Sequence, residues 1–255
     1  MLNQRIEIRY QFTFETPFHL GTGLRNGLVH RSIITAPDGY LIIPGSTIKG
    51  SLRDRCSQIS RLFNFPEDDP HVNNVSKANP QSTLIELVFG SQFQPGRLYF
   101  DDAKLIKADQ DLFEPDYKDF RMSNRKRDKF RSWQTEKRTQ VSIWRPTHTA
   151  AAGRLYNSEY GIRGLRFEGQ IVGLLSGYAT LSDSPHNYSL IFLIMGLGSL
   201  EWLGGNKSSG AGLLNCEILR LAVDGQILDP ASMLMNLQDM DYALYDLVVA
   251  QERGS

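Results

Sequence analysis

The sequence has few cysteines, no long apolar run and no net charge. Two thiols, Cys56 and Cys216, are too few for a disulfide framework or a cysteine-rich zinc site. No apolar run approaches the roughly 20 residues that span a bilayer. The longest, Leu190–Leu200, is interrupted by Gly196 and Gly198. The opening Asn3-Gln4-Arg5 leads into an alternating segment, which is unlike a secretory leader. No pair among the five histidines has metal-ligand spacing, so no metal site is expected. Neither a Walker A loop nor a dinucleotide fingerprint is present, and no cofactor is expected. Lys+Arg and Asp+Glu both total 28, so the overall charge selects no partner. These absences argue against a secreted mini-protein, a membrane protein and a disordered tail. The expectation is a cytoplasmic globular protein with no membrane partner, and 255 residues suffice for a sizeable core.

The neutral total conceals an asymmetry. Between Arg121 and Arg145 nine basic residues face two acidic ones, Asp128 and Glu136, while acidic residues are in excess on either side. Phe130, Trp133 and Trp144 lie in the same stretch. Positive charge interleaved with aromatic rings suits a nucleic acid, because charges follow phosphates and rings take base faces. A solvated surface loop has the same composition, and the segment alone does not separate the two readings.

Hydrophobic period supplies the elements. Arg5–Glu15 alternates Ile6, Ile8, Tyr10, Phe12 and Phe14 with polar neighbours, which predicts a half-buried strand. Leu28–Thr35 and Tyr40–Ile43 read as paired strands around Ala36-Pro37-Asp38-Gly39. Ser46 is placed to cap a helix running to about Leu62. Leu84–Phe89 reads as a helical turn, Gly96–Ile106 as a strand and Asp109–Trp133 as an irregular insertion. Lys137–Trp144 and Arg154–Gly161 read as a long hairpin around His148. Leu165–Leu181 reads as a strand and Pro185–Leu203 as a buried helix that holds Trp202 in the core. The Gly204–Gly212 loop then leads into a strand, Leu213–Val223, and an amphipathic helix over Pro230–Ala250. There is no internal repeat and no linker, so residues 1–255 read as one domain with insertions around 64–82 and 109–145. The order strand–helix–strand, strand–helix–strand is that of an α+β, ferredoxin-like (RRM-like) fold.

Two segments carry binding chemistry. Ile43-Pro44-Gly45-Ser46-Thr47-Ile48-Lys49-Gly50, followed by Arg53, puts two basic side chains four residues apart beside a helix N-terminus, an arrangement suited to anions. Gly204-Gly205-Asn206-Lys207-Ser208-Ser209-Gly210-Ala211-Gly212 lets backbone approach a ligand closely and adds one lysine. An ordinary capped helix and an ordinary glycine turn would look similar taken singly.

Together, and with Pro17-Phe18-His19-Leu20-Gly21 after the first strand, they resemble the RAMP superfamily of CRISPR proteins. The likeness is greatest to the backbone RNA-binding subunits of type III effector complexes. The Pro-Gly-Ser-x-x-Lys-Gly-x-x-Arg segment is complete. The glycine loop departs at Ser209, where the family usually has Arg, and at Ala211, where it often has an aromatic residue. The resemblance implies that Lys49 and Arg53 hold a guide RNA backbone from the first helix, with Gly45 and Ser46 at its opening. Gly204, Gly205, Asn206, Lys207, Ser208 and Ser209 support it from the loop, beside His19. The hairpin is the implied thumb that wedges between guide and target bases. Its Lys137, Arg138, Arg145 and His148, with Arg31, complete the candidate contacts, and Trp133 and Trp144 are candidates to stack on bases. Guide RNA, target RNA and other effector subunits in a hetero-oligomeric complex are the implied partners.

Family members that cut target RNA carry an Asp in the loop before the Ile-Pro-Gly-Ser. Here that position is His30. No acidic residue lies between Glu15 and Asp38, and Asp38 is too near the helix to match. The expectation is therefore a subunit that binds without cleaving. The alternative is a RAMP-type endoribonuclease. It would process guide RNA with His30 or His19 as base, or cut target RNA in the complex with His30 or Asp38 in place of the usual Asp. A structural cap at one end of the complex is a further reading.

Overall fold

The computed structural model describes residues 2–23, 31–62, 83–91, 94–113, 130–177 and 186–231. Its first strand, β1 (Leu2–Phe14), buries Ile6, Ile8, Tyr10, Phe12 and Phe14 and turns Arg5 and Arg9 to solvent, as the alternation requires. It is the axis of a sheet that also contains β2 (Ile42–Ile43), β3 (Leu98–Phe100), β4 (Ala103–Leu105), β7 (Arg166–Gly177), β8 (Leu214–Val223) and β9 (Gln226–Leu228). The strand order is β2-β4-β7-β1-β8-β9, with β3 also on β7, and every pairing is antiparallel.

Three helices close the core over the buried residues of β1. In α1 (Gly45–Leu62) the stripe Ile48, Leu52, Cys56 and Ile59 recurs at helical spacing and is buried. In α2 (Leu84–Phe89) Thr83 and Glu86 form a reciprocal capping box. A helical segment with no charged residue, α4 (Tyr188–Gly198), is buried almost throughout, which explains its unbroken apolar sequence. Asn187 caps it through Leu190 N–H at 2.8 Å and ties it to the sheet, receiving the Gln4 side-chain oxygen on its N–H and donating to Leu175 O. The helices α1 and α4 meet closely at Gly196, where a Cβ would lie 2.4 Å from the Cys56 sulfur. A further short helix, α3 (Lys107–Asp111), is joined to β7 by a salt bridge between Asp109 and Arg166 at 2.6 Å.

Several boundaries differ from the sequence expectation. Ser46 is not the cap of α1: the helix starts at Gly45, whose N–H donates to Asp102 Oδ1 at 2.8 Å. Gly45 also packs so tightly on Phe100 O that a Cβ would lie 2.0 Å from it. The expected strand from Gly96 to Ile106 breaks at Asp101-Asp102, because Asp102 turns to make that cap. The hairpin around Ala36–Gly39 keeps its turn, and among the described residues it has one bridge, Thr35↔Leu41, while Ile42 and Ile43 pair with β4. Residues 130–134 are helical rather than irregular, with Phe130 buried against Tyr40. Trp202 lies at a cavity wall rather than in the core. The insertion at 64–82, the basic residues 121–129 and the terminal helix beyond Ala231 lie outside the described residues. No helix among those described is long and apolar enough to cross a membrane.

A second, two-stranded sheet is formed by β5 (Thr135–Trp144) and β6 (Thr149–Gly161). Its register runs from Thr135↔Gly161 to Val141↔Leu155, slips by a bulge, and resumes at Ile143↔Ala150.

Candidate nucleic-acid interface

The chain leaving β1 meets the glycine loop and the base of the hairpin at one place. Gly205 N–H donates to His19 O at 2.9 Å, and Gly212 N–H to Pro17 O at 2.9 Å. Gly204 has φ +94°, and a Cβ there would lie 2.6 Å from His19 O, so position 204 needs glycine on both counts. His19 is 7 % exposed and its Nδ1 lies 2.6 Å from Glu159 O, which makes Nδ1–H the donor to β6. On the same strand, Phe18 packs on Gly161, where a Cβ would meet the ring at 2.2 Å. Asn206, in the left-handed region at φ 62°, donates from its side chain to the Tyr160 hydroxyl. The Tyr160 ring lies 5.5 Å from that of His19.

The loop differs from a generic anion cradle. The N–H groups of Gly205, Ser209, Gly210, Ala211 and Gly212 are all bonded to carbonyls of the protein. Lys207, Ser208 and Ser209 are exposed on a short 3₁₀ turn, with Ser209 Oγ–H bonded back to Asn206 O at 2.8 Å.

The helix α1 offers two charged flanks. Lys49 and Arg53 share one. Lys49 Nζ lies 5.8 Å from the centre of the Phe100 ring, and its pKa is lowered by burial and then by the Arg53 charge. The opposite flank, Ser51, Asp54, Arg55 and Gln58, faces Ser199–Trp202 and Lys207 across a cavity of about 390 Å³. Arg55 Nε–H donates to Ser199 Oγ there at 3.2 Å. The structure thus places Arg55 and Lys207 on one cavity and leaves Lys49 and Arg53 on the other side of the helix. A single phosphate does not touch both flanks, whereas a chain of phosphates can.

A buried carboxylate fixes the hairpin. Glu159, 4 % exposed, accepts from Arg131 in a bidentate pair, from Ile33 N–H at 3.3 Å and from Thr135 Oγ1–H at 3.4 Å. Arg131 also donates to Ile33 O at 2.8 Å. Arg31 is held beside β6 by main-chain bonds to Asn157 and Glu159, and its guanidinium lies 5.1 Å from the Tyr156 ring centre. Arg138 lies 4.9 Å from the Tyr160 ring centre and pairs with Glu136. Tyr156 and Tyr160, two pleats apart on one strand, thus share a face with two arginines, and that face runs on to His19 and Asn206.

Sequence reasoning missed Glu159, Arg131, Gln134, Tyr156 and Tyr160. Only the even spacing of the two tyrosines was available as a signal. Of the other candidates, Lys137 and Arg138 are exposed, as are Arg145 and His148 in the hairpin turn, with His148 at φ 52°. Trp144 is exposed beside them, whereas Trp133 packs against the core. Asp38 serves its own turn, accepting from Tyr40 N–H at 3.1 Å, while Gln134 secures Gly39 O and Leu41 N–H. His30 lies outside the described residues. Among those described, no three acidic, histidine or cysteine side chains are placed to hold a metal ion.

A comparison with curated protein sequences finds no match. Among solved structures, the fold is similar to a chain of the type III-B Cmr-beta complex bound to cognate target RNA, with TM-score 0.54 and 14 % identity over 83 % of this chain and 96 % of that one. It is also similar to a chain of the apo state of Cmr-beta, with TM-score 0.51 and 14 % identity over 84 % and 97 %. Identity this low speaks for the fold. The sequence itself matches the family model of the RAMP superfamily over residues 11–215, and the chain belongs to that superfamily.

Proposed function

We propose that this chain is a guide-RNA-binding backbone subunit of a type III CRISPR ribonucleoprotein, which holds and kinks a guide–target RNA duplex without cutting it. The observation that carries this reading is the row of exposed cations Arg31, Arg138 and Lys207, held in place by Tyr156 and by the buried Tyr160, His19 and Asn206 contacts that link the hairpin to the glycine loop. Exposed cations in a row, with the partly exposed Tyr156 ring among them, suit the phosphates of a nucleic-acid strand. Lys49 and Arg53 extend the positive surface along α1. The chains of similar fold come from type III-B Cmr-beta, one of them bound to cognate target RNA, which supports the same assignment.

The order β4-β7-β1-β8, with α1 and α4 as the two crossovers, fits a ferredoxin-like domain. The distal hairpin fits the thumb: Val141, Ile143, Trp144 and Leu155 are between 44 % and 62 % exposed, as a wedge between base steps requires. Binding without cleavage is supported by the lack of any acidic residue between Glu15 and Asp38 and by the turn role of Asp38. Co-expression with the neighbouring genes, followed by pull-down and sequencing of bound RNA, tests the reading. Discrete guide-length RNA with several partner proteins is expected. A lone RNA-free monomer, or a specific cut in repeat RNA lost on His30→Ala, overturns it.

A further inference from the structure

Gly21 stands where the backbone does not call for glycine. It is exposed, bridged to Ile33, and outside the left-handed region of φ. What the absent side chain spares is the imidazole two residues earlier. A Cβ at position 21 would lie 2.9 Å from His19 Nε2, 3.6 Å from Cε1 and 3.7 Å from Cδ2. The closest of these contacts, and the only one too short to form, is to Nε2.

That nitrogen is the uncommitted polar atom of the ring. Nδ1–H is used on Glu159 O at 2.6 Å, which leaves a lone pair on Nε2 of the neutral imidazole. Nε2 has no hydrogen-bond partner among the described residues, yet it is not sealed from solvent as the orphaned hydroxyls of Tyr10 and Ser60 are. The ring is held on other sides as well: a Cβ on Gly205 would lie 3.7 Å from Cδ2, and the Tyr160 ring centre is 5.5 Å away. With His19 only 7 % exposed, an arriving molecule meets the Nε2 edge and not a face of the ring.

An acceptor at this place differs from its surroundings. The exposed Arg31, Arg138 and Lys207 are donors, suited to phosphate oxygens, which only accept. Along a nucleic-acid backbone the phosphate and ring oxygens are all acceptors. The 2′-hydroxyl is the one donor there, and it is what separates RNA from DNA.

We propose that His19 Nε2 accepts a hydrogen bond from one ribose 2′-hydroxyl of the bound strand, and that Gly21 keeps this lone pair within reach. The site thereby selects ribose over deoxyribose at a single nucleotide. The proposal rests on the RNA-binding reading above and names the group that is read there.

The test titrates the full-length chain with a fluorescein-labelled single-stranded RNA, with the all-deoxy strand of the same sequence, and with strands carrying deoxyribose at each position in turn. One position is expected at which deoxyribose weakens binding about tenfold, the loss of a hydrogen bond to a fixed acceptor. In Gly21→Ala that difference is expected to vanish, while affinity for the all-deoxy strand and the unfolding midpoint stay as they were. Long-range ¹H–¹⁵N spectra of the full-length chain, with His19 assigned through His19→Gln, give a second readout. Nε2 is expected to be unprotonated and to shift with the RNA strand but not with the all-deoxy strand. A protonated Nε2, or a deoxyribose penalty that persists in Gly21→Ala, overturns the proposal. Equal binding of RNA and DNA by the unsubstituted chain overturns it while leaving nucleic-acid binding in place. Failure of both strands to bind overturns the RNA-binding reading and the proposal together.

Discussion

The main sheet and the hairpin are both antiparallel and both built from alternating residues, but they spend the alternation differently. In β1 every second side chain enters a core shared with three helices, and the intervening ones meet solvent. In β5 only Thr135, at the base, is buried, and both faces of the distal half are exposed. A two-stranded ribbon without a core is marginal by itself. This one is held from below by Glu159, Arg131, His19 and Gly161. Residues of the sheet answer to packing, whereas those of the distal hairpin are free to answer to a ligand.

The largest effect expected from breaking this contrast is in the core. Phe12→Ala removes a fully buried ring and is expected to cost about 3–5 kcal/mol in denaturant unfolding. Next is the clamp. Arg131→Met leaves Glu159 buried without its ion partner and is expected to cost about 3 kcal/mol, with amide exchange accelerated in β5 and β6 ahead of β1 and β7. A uniform acceleration across both sheets would show that they unfold as one unit.

Smaller for stability, but direct for function, is Lys49→Ala with Arg53→Ala. It is expected to lower the slope of log affinity against log salt by about two and to weaken binding to all RNA sequences alike. An unchanged slope would remove both residues from the interface. The smallest expected change in folding comes from Val141→Ser with Leu155→Ser, within about 0.5 kcal/mol per site, because both side chains are already in water. If the hairpin is a wedge, the same pair alters base unstacking in a guide–target duplex, read with 2-aminopurine fluorescence.

What the sequence discloses divides along the same line. The alternation of β1, the helical stripe of α1 and the apolar run of α4 are local patterns, and each forms where its period predicts. The hairpin was expected over 137–144 and 154–161, and its second strand starts earlier, at Thr149, so its full length was not legible. Nor were the clamps. Ile33 and Glu159 are separated by 126 positions, Leu41 and Gln134 by 93, and no period connects them. The start of α1 was misplaced on Ser46 because the residue that caps it, Asp102, lies 57 positions away in sequence, next to the paired strand β4. That same long-range cap broke a strand that looks continuous in sequence. In the candidate site, the glycine loop and its lysine were visible as a motif. The pairing of Arg31 and Arg138 with two tyrosines depended on hairpin register, which composition does not reveal.

The bulge between Val141 and Ile143 makes the hairpin adjustable. Below it the register is anchored to the domain; above it only the four-residue turn 145–148 must be preserved. Adding two residues to each strand above the bulge would carry the tip about 7 Å further from the domain with each face keeping its orientation. Adding one to each would rotate the apolar tip away from the surface it now presents. The hairpin is in this sense a ruler graduated in steps of two, and its reach can be reset by design without touching the rest of the fold.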